Sequence, residues 1–525
     1  MNYSDSERIA SILEMKGYKK TLLEDNADLI IINACSVRQS AIDKISGRFK
    51  KYKRFRKTNP GLKIVLTGCI LKSDKKKFEK MFDLIIGIKE IEQILIKLSK
   101  TCYCERDTTK AIPIQHAKDL ITGLSRSVPL LLHSARNDNN YFKIKPLRQN
   151  KLSAYVPIMT GCNNFCSYCV VPYTRGREYS RPAEKIIDEI KSLIKQGYKE
   201  IILLGQNVNS YQSKIHKAKS QKHALSFLRR QKSTATLNVP KHAIFYNKTN
   251  SANWIPAFAG TTENTETITF PRLLKLINAI PGIFRIRFLT SHPKDMSEEL
   301  IKTVAERKKV TPYIHLALQS GNDEILKKMN RKYTAGHFLK LVKMIRKYLP
   351  DAAISTDIII GFPGETEKQF LDTIEIMKKA KFDMAYLNKY SPRAGTAAAK
   401  LDNNISWAKK KQREKILTDV LRKTALENNK KYIGKVVEVL VDELGIKNYE
   451  SGIIFGKTRS FKNVKIDIGS IVPLGLWNQN ADGLHKAKAT IEPTNLVGKF
   501  LNIKITQADA WGLEGKIVKQ KKDGD

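Results

Sequence analysis

A chain of 525 residues with 42% apolar residues is long enough for about three cores of roughly 150 residues each, which excludes a disordered polymer. Its 94 Lys and Arg against 51 Asp and Glu leave a net charge of +43, which favours a polyanionic partner, with a basic proteome or an acidic membrane surface as the bland readings. No apolar run reaches the roughly 18 residues that cross a bilayer, and Met1 to Leu13 lacks the basic-then-apolar order of a signal peptide, so a cytoplasmic location away from membranes is expected.

In chain order, Ser6–Met15 reads as an opening helix with Ser4 or Asp5 available as N-cap. Asp28–Asn33, Lys63–Gly68 and Leu84–Gly87 are short apolar runs of the kind that buried parallel strands carry, with helical periodicity between them. Residues 1–125 therefore read as an N-terminal open α/β sheet domain. Such a sheet normally opens on a strand, so a first strand is missing here. Residues 126–150 are polar and mixed, and read as a linker.

Across 151–395 strands and helices alternate again. Strands are expected at Ala154–Met159, Glu200–Leu204, Arg285–Leu289, Tyr313–Leu318, Ala353–Ile360 and Met384–Leu387, and helices at Ala183–Gln196, Glu324–Met329 and Glu367–Lys379. Six βα units without an antiparallel signature predict a central partial (βα) barrel with its function at the carboxyl ends of the strands. Ser213–Thr267 breaks the rhythm: nine Lys and Arg stand against Glu263 and Glu266, and no period persists. It is expected to be a surface insertion, with a basic RNA-gripping arm as the alternative. Within 396–432, Ser406–Tyr432 reads as a basic amphipathic helix. Residues 433–520 turn to a β pattern at Val436–Val441, Gly452–Phe455, Phe500–Thr506 and Leu513–Val518, which predicts a C-terminal small β-barrel that binds RNA or merely packs.

Seven cysteines, Cys35, Cys69, Cys102, Cys104, Cys162, Cys166 and Cys169, are an odd number with three inside eight residues. Metal ligation fits that pattern better than a disulfide framework. Cys162, Cys166 and Cys169 form a C-x3-C-x2-C triad directly after a strand. Three thiolates at this spacing can hold three irons of a [4Fe–4S] cube and leave the fourth iron open to a small chelate. A structural zinc site would want a fourth ligand nearby. Cys35 and Cys69 each follow a strand, so they either converge at one sheet edge or are two buried small hydrophobes.

Read outward from the triad, Gly161–Pro182 (GCNNFCSYCVVPYTRGREYSRP), Leu203–Asn209 (LLGQNVN), Arg285–Pro293 (RIRFLTSHP), His315–Asn330 (HLALQSGNDEILKKMN), Thr356–Thr366 (TDIIIGFPGET) and Tyr390–Thr396 (YSPRAGT) resemble the radical SAM tRNA methylthiotransferase family. Their wording is most similar to the branch acting on N6-isopentenyladenosine beside the anticodon. Asn33–Arg38 (NACSVR) and Thr67–Cys69 (TGC) resemble that family's first domain, and the C-terminal β module resembles its TRAM domain. The likeness spans the chain apart from 213–267 and a patch near 475–487.

The resemblance implies S-adenosylmethionine and two [4Fe–4S] clusters as cofactors. It implies tRNA, an electron donor of flavodoxin or ferredoxin type and a sulfur donor as partners, and a monomer. A cluster on Cys162, Cys166 and Cys169 is expected to bind S-adenosylmethionine, whose reductive cleavage gives a radical that takes hydrogen from C2 of the adenine. Tyr168 is implied to line the adenine side of the cofactor. Gln206, Asn207, Gln319, Ser320, Asp357, Gly361, Gly364 and Glu365, at or near strand carboxyl ends, are the expected cofactor contacts; a plain turn at Gly361 and Gly364, or backbone bridging by Gln319, is the bland reading.

A second cluster is implied on Cys35, Cys69 and a third cysteine that this sequence lacks. The missing ligand and the missing first strand agree on a start of translation upstream of Met1, with Cys102 and Cys104 incidental. The rivals are a relative acting on threonylcarbamoyladenosine or on a ribosomal-protein aspartate, another radical SAM chemistry, and a non-catalytic tRNA-binding relative.

Overall fold

The computed structural model describes residues 1–35, 39–103, 139–216, 265–442, 453–468 and 493–518. Cys104, residues 126–138 of the expected linker, and 217–264 of the expected insertion lie outside them.

Strands β1 (Leu29–Cys35), β2 (Lys63–Cys69) and β3 (Leu84–Ile85) form a parallel sheet in the order β1-β2-β3, with Leu29 opposite Lys63 and Cys35 opposite Cys69. Alternation along β2 divides its two faces. Ile64 and Leu66 pack with Ile42, Ile45 and Tyr52 of the helix Gln39–Thr58, whereas Val65 packs with Ile9 and Ile12 of the helix Asn2–Glu14. This first helix begins earlier than expected. Ser4 and Asp5 lie inside its first turn rather than capping it, because their side chains are engaged elsewhere: Ser4 Oγ by Arg8, and Asp5 by Tyr141 and Arg175.

Six parallel strands make the centre: β4 (Ser153–Pro157), then β7 (Glu200–Leu204), β10 (Arg285–Phe288), β11 (Tyr313–His315), β12 (Ala353–Ile360) and β13 (Met384–Lys389). Single bridges Ile286–Val310 and Ser291–Leu316 join the β4-β7-β10 and β11-β12-β13 sheets into one half-barrel. Ala154, Ile201, Ile286, Ile314, Ile354 and Ala385 face the helices and form the apolar core. By the period of two, Tyr155, Arg287, Tyr313, His315, Ser355, Asp357 and Tyr386 face the concave side. Two antiparallel ribbons, unforeseen in the sequence, sit outside this ladder: β5 (Met159–Thr160) with β6 (Tyr179–Ser180), and β8 (Gln212–His216) with β9 (Thr265–Thr269). The second ribbon is a stem for the insertion, whose boundary therefore moves inward from the expected Ser213–Thr267. Ser213 is buried and its Oγ accepts from Ala183 N, so the flanks belong to the folded unit.

Strands β14 (Val436–Val441), β15 (Ile453–Thr458), β16 (Asn463–Asp467), β17 (Phe500–Ala508) and β18 (Leu513–Ile517) close a barrel in the order β14-β15-β16-β18-β17. Val439, Ile454, Val464, Ile466, Ile503 and Leu513 fill it. The strand β16 escaped notice in the sequence because Asn-Val-Lys-Ile-Asp carries only two apolar residues. Its turn from β15 lies against the amino ends of the central strands. Phe461 stacks at 3.5 Å on the Arg287 guanidinium and 5.3 Å from the Tyr313 ring, while Lys462 pairs with Asp383 and Arg459 donates to Lys308 O.

The helix Trp407–Lys430 connects the two barrels and is less amphipathic than expected. Leu417, Leu421 and Ala425 make an apolar middle, but Lys410, Arg413, Asn428 and Asn429 are also buried, each donating at least one hydrogen bond. Among the described residues no helix is long and apolar enough to cross a membrane.

Candidate functional site

Gly161 turns the chain out of β5 at φ +77°, where a side chain would strike Arg177 O at 2.0 Å. Only glycine fits that approach. The loop that follows holds all three cysteines of the triad at the carboxyl end of β4 and β5. It is pinned by Cys162 N to Gly176 O (3.2 Å), Cys169 N to Cys166 O (2.9 Å), Ser167 N to Met329 O (3.0 Å) and Asn330 Nδ2 to Phe165 O (2.9 Å). The loop is thus built against the end of the helix Asp323–Lys328, which the sequence places about 160 residues later.

All three thiols are free and partly exposed. Burial raises Cys162 and pushes Cys169 up to about 12, with the neighbouring Cys166 adding to both shifts. Three adjacent thiols that would repel one another once ionised suit a site where bound iron supplies the compensating positive charge. Among the described residues no group of three or more His, Cys, Asp or Glu is gathered for a single metal ion. The donor set fits a polynuclear cluster on three sulfurs better than a lone zinc ion. Asn164 Nδ2 lies 3.6 Å from Cys162 Sγ, and Arg331 Nη1 lies 3.5 Å from Cys166 Sγ.

The expected cofactor contacts separate into two groups. Tyr168 packs on the small cluster of Ile325, Met329, Phe362 and Tyr390 beside the triad. Gln206, just past β7, keeps a buried Oε1 without a hydrogen-bond partner among the described residues, as an acceptor reserved for a ligand would. Asp357 faces the concave side and accepts from His315 Nε2 at 3.0 Å, and His315 Nδ1 in turn meets Ser355 Oγ at 2.9 Å. Gln319 adopts φ +70°, with its backbone tied to Asp357 O and Ile359 N.

The remaining positions are occupied in holding the site together. Asn207 donates to Asp295 Oδ2 and accepts from His292 N, locking the loop after β10. Ser320 Oγ accepts from Asn322 N. Gly361 sits at φ +68°, and a side chain there would also meet the Lys410 side chain, while Gly364 N donates to Asn404. Glu365 is buried and receives Gly361 N and Arg413 Nη1; burial outweighs Arg413 and pushes its carboxyl up to about 7.

Cys35 and Cys69 are register partners at the ends of β1 and β2. Cys69 is buried, and its Sγ accepts from Arg175 Nε at 3.0 Å. Arg175 belongs to the stretch just after the triad, so the two cysteine regions meet through it. Three residues went unread in the sequence: Arg175, His315 and Arg331. Arg331 follows immediately on the His315–Asn330 motif, but it stands 165 residues from Cys166, so nothing in the sequence ties it to the triad.

Residues 156–377 match the radical SAM superfamily and residues 1–87 match the uncharacterized protein family UPF0004, so the class is that of a radical SAM enzyme. Over its full length the chain belongs to the tRNA-2-methylthio-N6-dimethylallyladenosine synthase family. It is 38% identical over 518 residues to the synthase of Clostridium novyi, covering 99% of this chain and 94% of that one. It is 35% identical over 525 residues to the synthase of Thermoanaerobacter pseudethanolicus, covering 99% and 90%. A radical S-adenosylmethionine methyltransferase, TsrM, from Kitasatospora setae aligns at 13% identity and a TM-score of 0.42, covering 75% of this chain and 72% of that one.

Proposed function

We propose that this chain attaches a methylthio group to C2 of N6-dimethylallyladenosine in tRNA, beside the anticodon. The observation that carries the reading is the placement of Cys162, Cys166 and Cys169 on one loop at the carboxyl mouth of the half-barrel, in a chain of this family. When bound by these thiols together with S-adenosylmethionine, a [4Fe–4S] cluster supplies reductive carbon–sulfur cleavage and the radical that removes hydrogen from C2.

The chain's own residues do the rest. Gly161 lets the loop pass close under Arg177, and Ser167 and Asn330 fix it against the barrel, so the thiols stay in place without metal-induced folding. Tyr168 offers an aromatic face beside the triad and Gln206 Oε1 an unfilled acceptor; both are contacts for the adenosyl part of the cofactor. His315 holds one oxygen of Asp357 and leaves the other to face donors in the concave chamber. Phe461 and Arg287 lie at the amino end of that chamber, where they limit the entry of water. Arg285 and Arg287 join the C-terminal barrel to the chamber, and the +43 charge suits an RNA partner.

Cys35 and Cys69 are the proposed ligands of a second cluster that serves as sulfur carrier, with a sulfur donor and a flavodoxin- or ferredoxin-like reductant as further partners.

Incubation of the reconstituted chain with tRNA carrying N6-dimethylallyladenosine, followed by mass spectrometry of the nucleosides, is the test. A methylthio gain, lost together with 5′-deoxyadenosine formation in Cys162→Ala, Cys166→Ala and Cys169→Ala, is expected. Product on threonylcarbamoyladenosine alone, zinc as the only bound metal, or undiminished cleavage in a triad variant overturns the reading.

A further inference from the structure

Several buried arginines of this molecule come with carboxylates, although Arg8 bonds instead to Ser4 and to Tyr141 O. Arg175 has Asp5 at 2.5 Å, Arg287 has Glu200 at 2.7 Å, Arg413 has Glu365 at 2.7 Å, and Arg148 and Arg181 share Glu189. Arg331 is set apart by lying against a cysteine of the triad. It is only 8% exposed, yet among the described residues no Asp or Glu forms an ion pair with it. Its Nε donates to Tyr333 Oη at 2.9 Å, its Nη2 to Ala317 O at 2.6 Å, and its Nη1 points to Cys166 Sγ at 3.5 Å. Tyr333 is itself tied to Leu318 O at 2.6 Å and its ring lies 4.9 Å from the guanidinium.

An unpaired buried cation costs several kcal/mol, and a guanidinium cannot escape the cost by losing its proton. The charge is retained where an anion arrives to meet it. Cys166 Sγ is the anionic position in reach, and three thiolates around a cluster are net negative in every relevant oxidation state.

We propose that Arg331 is the built-in counter-ion of the three-cysteine site and sets the reduction potential of the cluster held there. The inference rests on the reading above that Cys162, Cys166 and Cys169 bind such a cluster. A fixed positive charge at hydrogen-bonding distance from a ligating sulfur stabilises the reduced form, which carries one more electron, more than the oxidised form. Tyr333 and Ala317 hold the guanidinium fork in plane, so the charge stays put when the external low-potential donor delivers its electron. Arg331 is therefore a positioning residue for electron entry.

The test is a redox titration of the anaerobically reconstituted full chain, followed by electron paramagnetic resonance, with the triad signal assigned by its loss in Cys166→Ala. Arg331→Met and Arg331→Gln should make one-electron reduction at least tenfold less favourable, a fall of about 59 mV, and Arg331→Lys should restore most of it. If both neutral variants fail to retain iron while Arg331→Lys retains it, the charge requirement is established by assembly instead of potential. A potential in Arg331→Met or Arg331→Gln that coincides with the wild type overturns the proposal, as does loss of iron in all three variants with native circular dichroism. Absence of any cluster signal in the wild type refutes the iron–sulfur reading itself, a separate result.

Discussion

Arg175 donates its Nε–H to the sulfur of Cys69 at 3.0 Å while its Nη2 pairs with Asp5 at 2.5 Å. All three residues are buried. One guanidinium thus ties the first helix, the end of β2 and the loop that carries the three-cysteine site into a single unit. Asp5 is further held by Tyr141 Oη at 2.6 Å, and its negative charge joins burial in pushing that phenol well above its usual range.

Removing Arg175 alone strands a buried carboxylate. Arg175→Met should therefore lower stability by about 3–5 kcal/mol, the cost of breaking a buried pair from one side. Adding Asp5→Asn should recover a large part of that loss, because the stranded charge goes with it. Urea unfolding followed by circular dichroism measures both, and equal midpoints for the single and the double variant would show that the pair is not coupled.

Glu365 makes a second, pH-dependent prediction. Its carboxyl is raised from the ordinary glutamate range to about 7, chiefly by burial, with Arg413 pulling the other way. A carboxyl raised on folding contributes stability that is full below its unfolded value and fades as pH rises through the folded one. Glu365→Gln keeps the acceptor for Gly361 N and Arg413 but cannot ionise. The wild type should lose stability relative to Glu365→Gln between about pH 4.5 and pH 7. Urea midpoints of both proteins at the two ends of that window decide it, and a difference that stays constant or moves in favour of the wild type contradicts the assignment.

The insertion has a stem, and that changes where it can be cut. Residues 217–264 lie between β8 and β9, whose register runs from Gln212 opposite Thr269 to His216 opposite Thr265. Replacing 217–264 with a two-residue hairpin turn should leave cluster binding intact and add up to about 2 kcal/mol of stability from the shorter loop closure. Replacing Ser213–Thr267 instead removes most of the ribbon and the buried Ser213 contact to Ala183 N, so it should lower the yield of folded protein. Iron content and thermal unfolding of the two deletions provide the comparison; equal behaviour would mean that the ribbon is dispensable.

Much of the architecture was legible because it rests on short-range patterns. The runs Leu29–Cys35, Lys63–Cys69, Glu200–Leu204 and Ala353–Ile360 are apolar over the length of a buried strand, and their neighbours carry the helical period. The C-x3-C-x2-C spacing of Cys162, Cys166 and Cys169 names its chemistry without coordinates, since three thiolates that close together have few other uses. The first antiparallel ribbon and β16 were not legible: two-residue strands and a strand as polar as Asn463–Asp467 leave no periodic trace, and the five-residue strands β8 and β9 are polar segments that pair across a long insertion.

What sequence alone determined here is therefore local: which segments bury a face, and which cysteines share a loop. Only the tertiary structure decided which distant charges meet. Arg175 reaches Cys69, Arg331 reaches Cys166, and Phe461 of the second barrel reaches Arg287 of the first, each across more than 100 residues of chain. Periodicity marks which residues turn inward, because a helix or strand repeats its own geometry. It carries no record of which inward-facing group lies opposite, because that depends on how separately formed elements stack, and a single arginine in a polar stretch looks the same whether it faces solvent or an iron ligand.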